Sequence, residues 1–294
     1  METEQAHSVQ ATEVIPRSRG AVPAVWLNLV CLDAPLVAVA WLWLFGRTLH
    51  IPLHPGNGVA LFLTAWLIYL ADRLADSVSL KPNAPRSLRQ EFCLRHREIW
   101  ITTIVLVAGF DAYVIWRTTA VPTFLLGVAV GSLALLYLVI NHPLGLIWRS
   151  LPAKELVIGS LFTAGTLVAL TPAIPSMTSP FVAAALAFAA LCALNCISIA
   201  RWEWRLDRAQ GKVSIVTRHP TIATLVNKIC ATLAFVALAL TIVFQSAAGI
   251  FVCIGISALL LMWLNTSMLN RDARTALADL VLLTPIIPLI AMAL

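Results

Sequence analysis

Nine apolar stretches of about twenty residues follow one another along this chain, and that succession limits what it can fold into more than any other feature. They fall at roughly 23–45, 57–77, 98–117, 120–141, 153–173, 180–203, 220–244, 247–269 and 275–294. Each has the length needed to cross a hydrocarbon core about 30 Å thick. Polar breaks carrying Pro separate them, at His50–Gly58, Asn141-His142-Pro143, Thr171-Pro172, Ser179-Pro180 and His219-Pro220. Backbone polar groups in lipid must be satisfied internally, so the expectation is an all-α integral membrane protein with nine transmembrane helices. Composition agrees: 60% of residues are hydrophobic and 12% charged, against about 25% charged in soluble domains. Residues 1–22 hold Glu2, Glu4, Glu13, Arg17 and Arg19 without an apolar core. They are expected to be a flexible cytoplasmic tail, leaving 23–294 as a single transmembrane domain.

Orientation follows from the basic residues. Of the 20 Lys and Arg, 17 fall on the side of the N-terminus: Arg17, Arg19, Arg73, Lys81, Arg86, Arg89, Arg95, Arg97, Arg149, Lys154, Arg201, Arg205, Arg208, Lys212, Arg218, Arg271 and Arg274. Only Arg47 and Arg117 fall on the other side, and Lys228 lies inside the seventh stretch. Positive charge gathers on the cytoplasmic face, so the N-terminus and these loops are expected there, in a bacterial inner membrane. The net charge of +6 is confined to loops beside the membrane, which excludes nucleic acid as the expected partner and points to membrane lipids. The six cysteines show no CxxC or Cys/His metal spacing and are expected to pack as small apolar residues.

Two acidic pairs of equal spacing stand at the expected cytoplasmic ends of the second and sixth stretches: Asp72/Asp76 and Glu203/Asp207. Positions i and i+4 share a helix face, so each pair projects two carboxylates together. Intramembrane carboxylates cost roughly 2.5–3.5 kcal/mol each on insertion scales and mark function. Four that converge repel one another unless a cation sits among them, and Mg2+ carrying a phosphorylated ligand is the simplest occupant.

The first pair closes the segment Ile68-Tyr69-Leu70-Ala71-Asp72-Arg73-Leu74-Ala75-Asp76, and the second closes Asn195-Cys196 through Glu203-Trp204-Arg205-Leu206-Asp207-Arg208. Segments of this kind on spans two and six of nine resemble the UbiA superfamily of intramembrane prenyltransferases. The stretch Leu151-Pro152-Ala153-Lys154-Glu155 resembles that family's lysine before helix five. The resemblance implies nine helices in a ring around a central cavity open to the cytoplasm and to lipid. It also implies an isoprenyl diphosphate held through Mg2+ by Asp72, Asp76, Glu203 and Asp207. Ile68 and Tyr69 stand where the family has Asn and Asp, and Cys196 stands where the second motif often opens with Asp.

Breaking an allylic C–O bond leaves a carbocation and a diphosphate, so such a site needs cations at the leaving group. Arg73, Arg95, Arg97, Lys154, Arg201, Arg208 and Lys212 are the candidates. Trp66, Tyr69, Trp202, Trp26, Trp204 and Phe162 are candidates to line a dry aromatic cavity. Asp33 and Asp279, with Asn28 and Asn195, are candidates to line the cavity, Asp33 as a base, or to hydrogen-bond between helices; Asp111, the other intramembrane acid, is expected to be structural. Three readings stay open: prenyl transfer to a lipophilic or aromatic acceptor, closure of the cation on itself as in UbiA-type terpene cyclases, and a non-catalytic lipid-binding or transport protein.

Overall fold

The computed structural model describes residues 22–141, 154–173 and 178–293. The expected tail, apart from Val22, lies outside them, as do Arg149 and the loop residues Leu151, Pro152 and Ala153. The described residues form helices and turns with no strand. In chain order the helices are α1 (Val22–Leu29), α2 (Asp33–Thr48), α3 (Pro55–Val78), α4 (Leu88–Arg95), α5 (Arg97–Thr118), α6 (Val121–Asn141) and α7 (Lys154–Leu167). They continue as α8 (Ser179–Gln210), α9 (Ile215–Arg218), α10 (Pro220–Val243), α11 (Ala248–Thr266), α12 (Arg271–Leu280) and α13 (Ile286–Ala293).

Six of these, α3, α5, α6, α8, α10 and α11 with the short turn before it, are long and apolar enough to cross a membrane. The other three expected spans are not continuous helices of that length. The first divides into α1 and α2, bent by 95°, with Cys31 at φ 58° in the break. At the break Asp33 accepts from Asn28 Nδ2 at 2.7 Å and from the backbone N–H of Ala34 at 3.0 Å, which places a carboxylate in the first turn of a fresh helix. The fifth is helical over the 14 residues of α7. The ninth is interrupted between α12 and α13, where Pro285 lacks an N–H and Thr284 donates to the Cys253 carbonyl at 3.1 Å.

Helix ends follow their sequence signals. His54 caps α3 through Gly56 N at 3.1 Å, with Pro55 in the first turn. Ser87 and Gln90 form a reciprocal capping box on α4. Gly211, at φ 72°, ends α8 in a left-handed conformation that glycine adopts without penalty. At 32 residues α8 is about 48 Å long. That exceeds a hydrocarbon core by about 18 Å.

The main core joins α2, α8, α10 and α11. Trp41, Phe45, Phe188 and Phe251 are fully buried there, and Trp41 stacks on Phe188 with centroids 4.4 Å apart while donating to the Leu282 carbonyl at 2.9 Å. Small residues let α7 and α8 approach closely. A Cβ added at Gly159 would lie 2.6 Å from the backbone nitrogen of Ala193, and no flexible side chain there can yield. Gly159→Ala is therefore expected to cost about 1–3 kcal/mol, read as a lower melting temperature in detergent. Unchanged melting would show that α7 and α8 do not pack this way in solution.

Candidate functional site

Helix α3 presents Asp72 and Asp76 one turn apart, and α8 presents Glu203 and Asp207 in the same way. The two pairs face one cavity of about 800 Å3. Its lining comes from α2 to α8, the loops between them and the residues just after α8. On α8 the lining positions are Cys196, Ile199, Ala200, Glu203, Leu206, Asp207 and Gln210, the spacing of one helical face.

The polar end of this cavity mixes acids and cations. Arg73, Lys81, Arg89, Lys154 and Lys212 line it together with the four carboxylates. Lys212 Nζ binds Asp76 Oδ2 at 2.6 Å, and Arg89 Nη2 binds Glu203 Oε2 at 2.5 Å. Gln210 fixes the loop above: its Nε2 donates to the Pro85 carbonyl at 2.7 Å and to Gln90 Oε1 at 2.9 Å. Glu155, buried beside Lys154, accepts from the backbone N–H of Ile215 at 3.1 Å through one oxygen, while the other has no partner among the described residues. Deeper in, the walls are apolar, with Leu61, Ile68, Val128, Leu138, Ile158 and Phe162, and the rings of Tyr69, Tyr137 and Phe124 join them.

The expected site residues therefore separate into two groups. Asp72, Asp76, Glu203, Asp207, Tyr69, Lys154, Arg73 and Lys212 line the cavity together. Outside its lining are Arg95, Arg97 and Arg208, all exposed, and Asp33, Asn195, Trp66, Arg201 and Trp202. Asn195 donates to Asp279 Oδ1 at 2.6 Å, Trp66 donates to the Val30 carbonyl at 2.9 Å, and Trp202 lies under the Arg274 guanidinium. Asp111, expected to be structural, accepts from Thr64 Oγ1 at 2.7 Å between α3 and α5. Sequence reasoning did not single out Arg89, Tyr137 or Glu155 for the site. For Arg89 a signal existed: the Ser87-x-x-Gln90 box announces a short helix, which aims one arginine of a basic loop at α8.

The carboxylates are hard oxygen donors, the chemistry Mg2+ requires. Among the described residues no three His, Cys, Asp or Glu side chains gather as a ready ligand group, and two of the four acids are engaged by Lys212 and Arg89. The four carboxylates supply the donor type that Mg2+ takes, and the cations beside them supply the donor type a phosphate takes. Comparison with known protein families, with characterised proteins and with solved structures finds no match to this chain.

Proposed function

We propose that this chain is a membrane-embedded enzyme that ionises an isoprenyl diphosphate and transfers the prenyl group to a lipophilic acceptor, on a UbiA-like plan in which the apolar segments ring the cavity and its polar end opens to the cytoplasm. The observation that carries this reading is one cavity holding both acidic pairs and five cations at one end and apolar walls along the rest. A diphosphate headed toward the first part places its hydrocarbon chain in the second.

The chemistry assigns roles to these residues. The allylic C–O bond breaks, its electron pair leaving with the diphosphate oxygen. The acceptor then bonds to the cationic carbon and gives up a proton. Mg2+ held by Asp72, Asp76, Glu203 and Asp207 would supply Lewis-acid neutralisation of the leaving group. Lys154, Lys212, Arg73 and Arg89 would bind the phosphate oxygens. The rings of Tyr69, Tyr137 and Phe162 would steady the cation through their faces, and the apolar walls would exclude water that quenches it.

Tyr69 supports a second reading. It lines the cavity at a position where the resemblance expects a carboxylate, and a phenol ring suits holding a cation better than holding Mg2+. A cyclase would release diphosphate and form terpenes with no acceptor present. Purified protein incubated with Mg2+ and prenyl diphosphates of several chain lengths, with and without aromatic acceptors, separates the cases by released diphosphate and gas chromatography. Acceptor-dependent release supports transfer; acceptor-free cyclic products support cyclisation. No release with any chain length would sink both readings and favour lipid binding or transport. In the active reaction Lys154→Gln is expected to weaken diphosphate binding about tenfold or more, the worth of one charge-assisted hydrogen bond.

A further inference from the structure

The face of α8 opposite the cavity carries an arrangement that prenyl chemistry does not use. Arg201 on α8 and Arg274 on α12 stand close enough for their charges to interact. Arg274 lies over the Trp202 ring at 5.6 Å. Neither guanidinium has an acidic partner among the described residues, since the ion pairs there involve Arg89, Lys212 and Arg271. Arg201 Nη1 and Arg274 Nε are both buried donors without an acceptor.

Each fact raises the cost of leaving this place empty. A buried donor without an acceptor loses about 1–3 kcal/mol, and like charges within range of each other are mutually unfavourable. Burial, and after it the charge of Arg201, push the Arg274 guanidinium down. The Trp202 ring offsets part of this on one face of Arg274, but a ring face does not satisfy Nε. A bridging anion would answer all of it, and paired guanidinium groups match the planar spread of phosphate oxygens.

We propose that Arg201 and Arg274 form a binding site for a phosphate-bearing anion on the face of α8 turned away from the cavity, beside α12. The position near the C-terminal end of a membrane helix admits two sources of the same chemistry, the headgroup of an anionic lipid or a phosphate in solution.

The test reads thermal unfolding of the full chain in three settings: phosphatidylcholine nanodiscs, the same with phosphatidylglycerol, and phosphatidylcholine nanodiscs with inorganic phosphate. The wild type is expected to melt a few degrees higher in at least one of the two anionic settings. Arg201→Gln and Arg274→Gln are each expected to lose that gain, and to melt at or above the wild type in phosphatidylcholine alone because a like-charge contact is relieved. A gain with phosphatidylglycerol alone assigns the site to a lipid headgroup, and an equal gain with inorganic phosphate assigns it to a soluble anion. If the wild type gains in neither setting, or both variants keep its full gain, the proposal is overturned. Variants that lose the same stability in all three settings overturn it too, since the arginines then only pack.

Discussion

Asp76→Asn is expected to lower the rate of diphosphate release by at least about 100-fold while the protein accumulates and melts as the wild type does. The separation of the two effects comes from where Asp76 sits. Its carboxylate lines the cavity and pairs with Lys212, but the two side chains keep 29% and 23% of their surface exposed, and a pair so open to solvent contributes about 1 kcal/mol or less. Removing its charge therefore takes away a proposed ligand while the loss of the Lys212 pair costs little. The measurement is released diphosphate beside a melting curve on the same preparation. A near wild-type rate would remove Asp76 from the proposed metal-binding set.

Glu203→Gln is expected to behave differently, losing on the order of 3 kcal/mol of stability in addition to activity. Glu203 is buried, and its partner Arg89 is 19% exposed with Nε already lacking an acceptor. Neutralising the acid leaves a guanidinium largely out of water and unpaired. The double change Arg89→Gln with Glu203→Gln removes both charges, so it is expected to recover more than half of that loss while remaining inactive. A melting curve for Glu203→Gln that matches the wild type would show that the pair is solvated, and would leave the acid with a catalytic role alone.

The spacing of the acids was legible because a helix repeats every 3.6 residues whatever surrounds it; the faces of α3 and α8 follow from that alone. Burial cannot be read in this way. Trp66 and Trp202 have the composition of a cavity wall, yet Trp66 spends its N–H on the carbonyl of Val30 in the α1–α2 break and Trp202 packs with Val226, Leu261 and Leu264. Which way a tryptophan turns is decided by neighbours distant in sequence. The broken first span shows a different limit. Its residues are apolar throughout except Asn28 and Asp33, so hydropathy reads one segment. The helix-start signal was nevertheless present in Asp33 followed by Pro35. The same holds for the ninth segment, where Thr284-Pro285 interrupts a run that averages as apolar.

Helix α6 lines the cavity from Thr123 to Asn141, a longer stretch than α8 supplies, and among the described residues it packs sparsely. Thr123 is its one buried residue, and its principal neighbours are α7 and the short turn Thr171–Ala173, with its other flank turned outward. A wall packed along one side is expected to move more readily than the rest, on the microsecond-to-millisecond scale typical of helix displacement. The cavity then has an elastic dimension, and the size of an occupant is set by the work of moving one helix through the bilayer. On the proposed function, discrimination between a shorter and a longer hydrocarbon chain is then expected to be gradual, with no length at which entry stops.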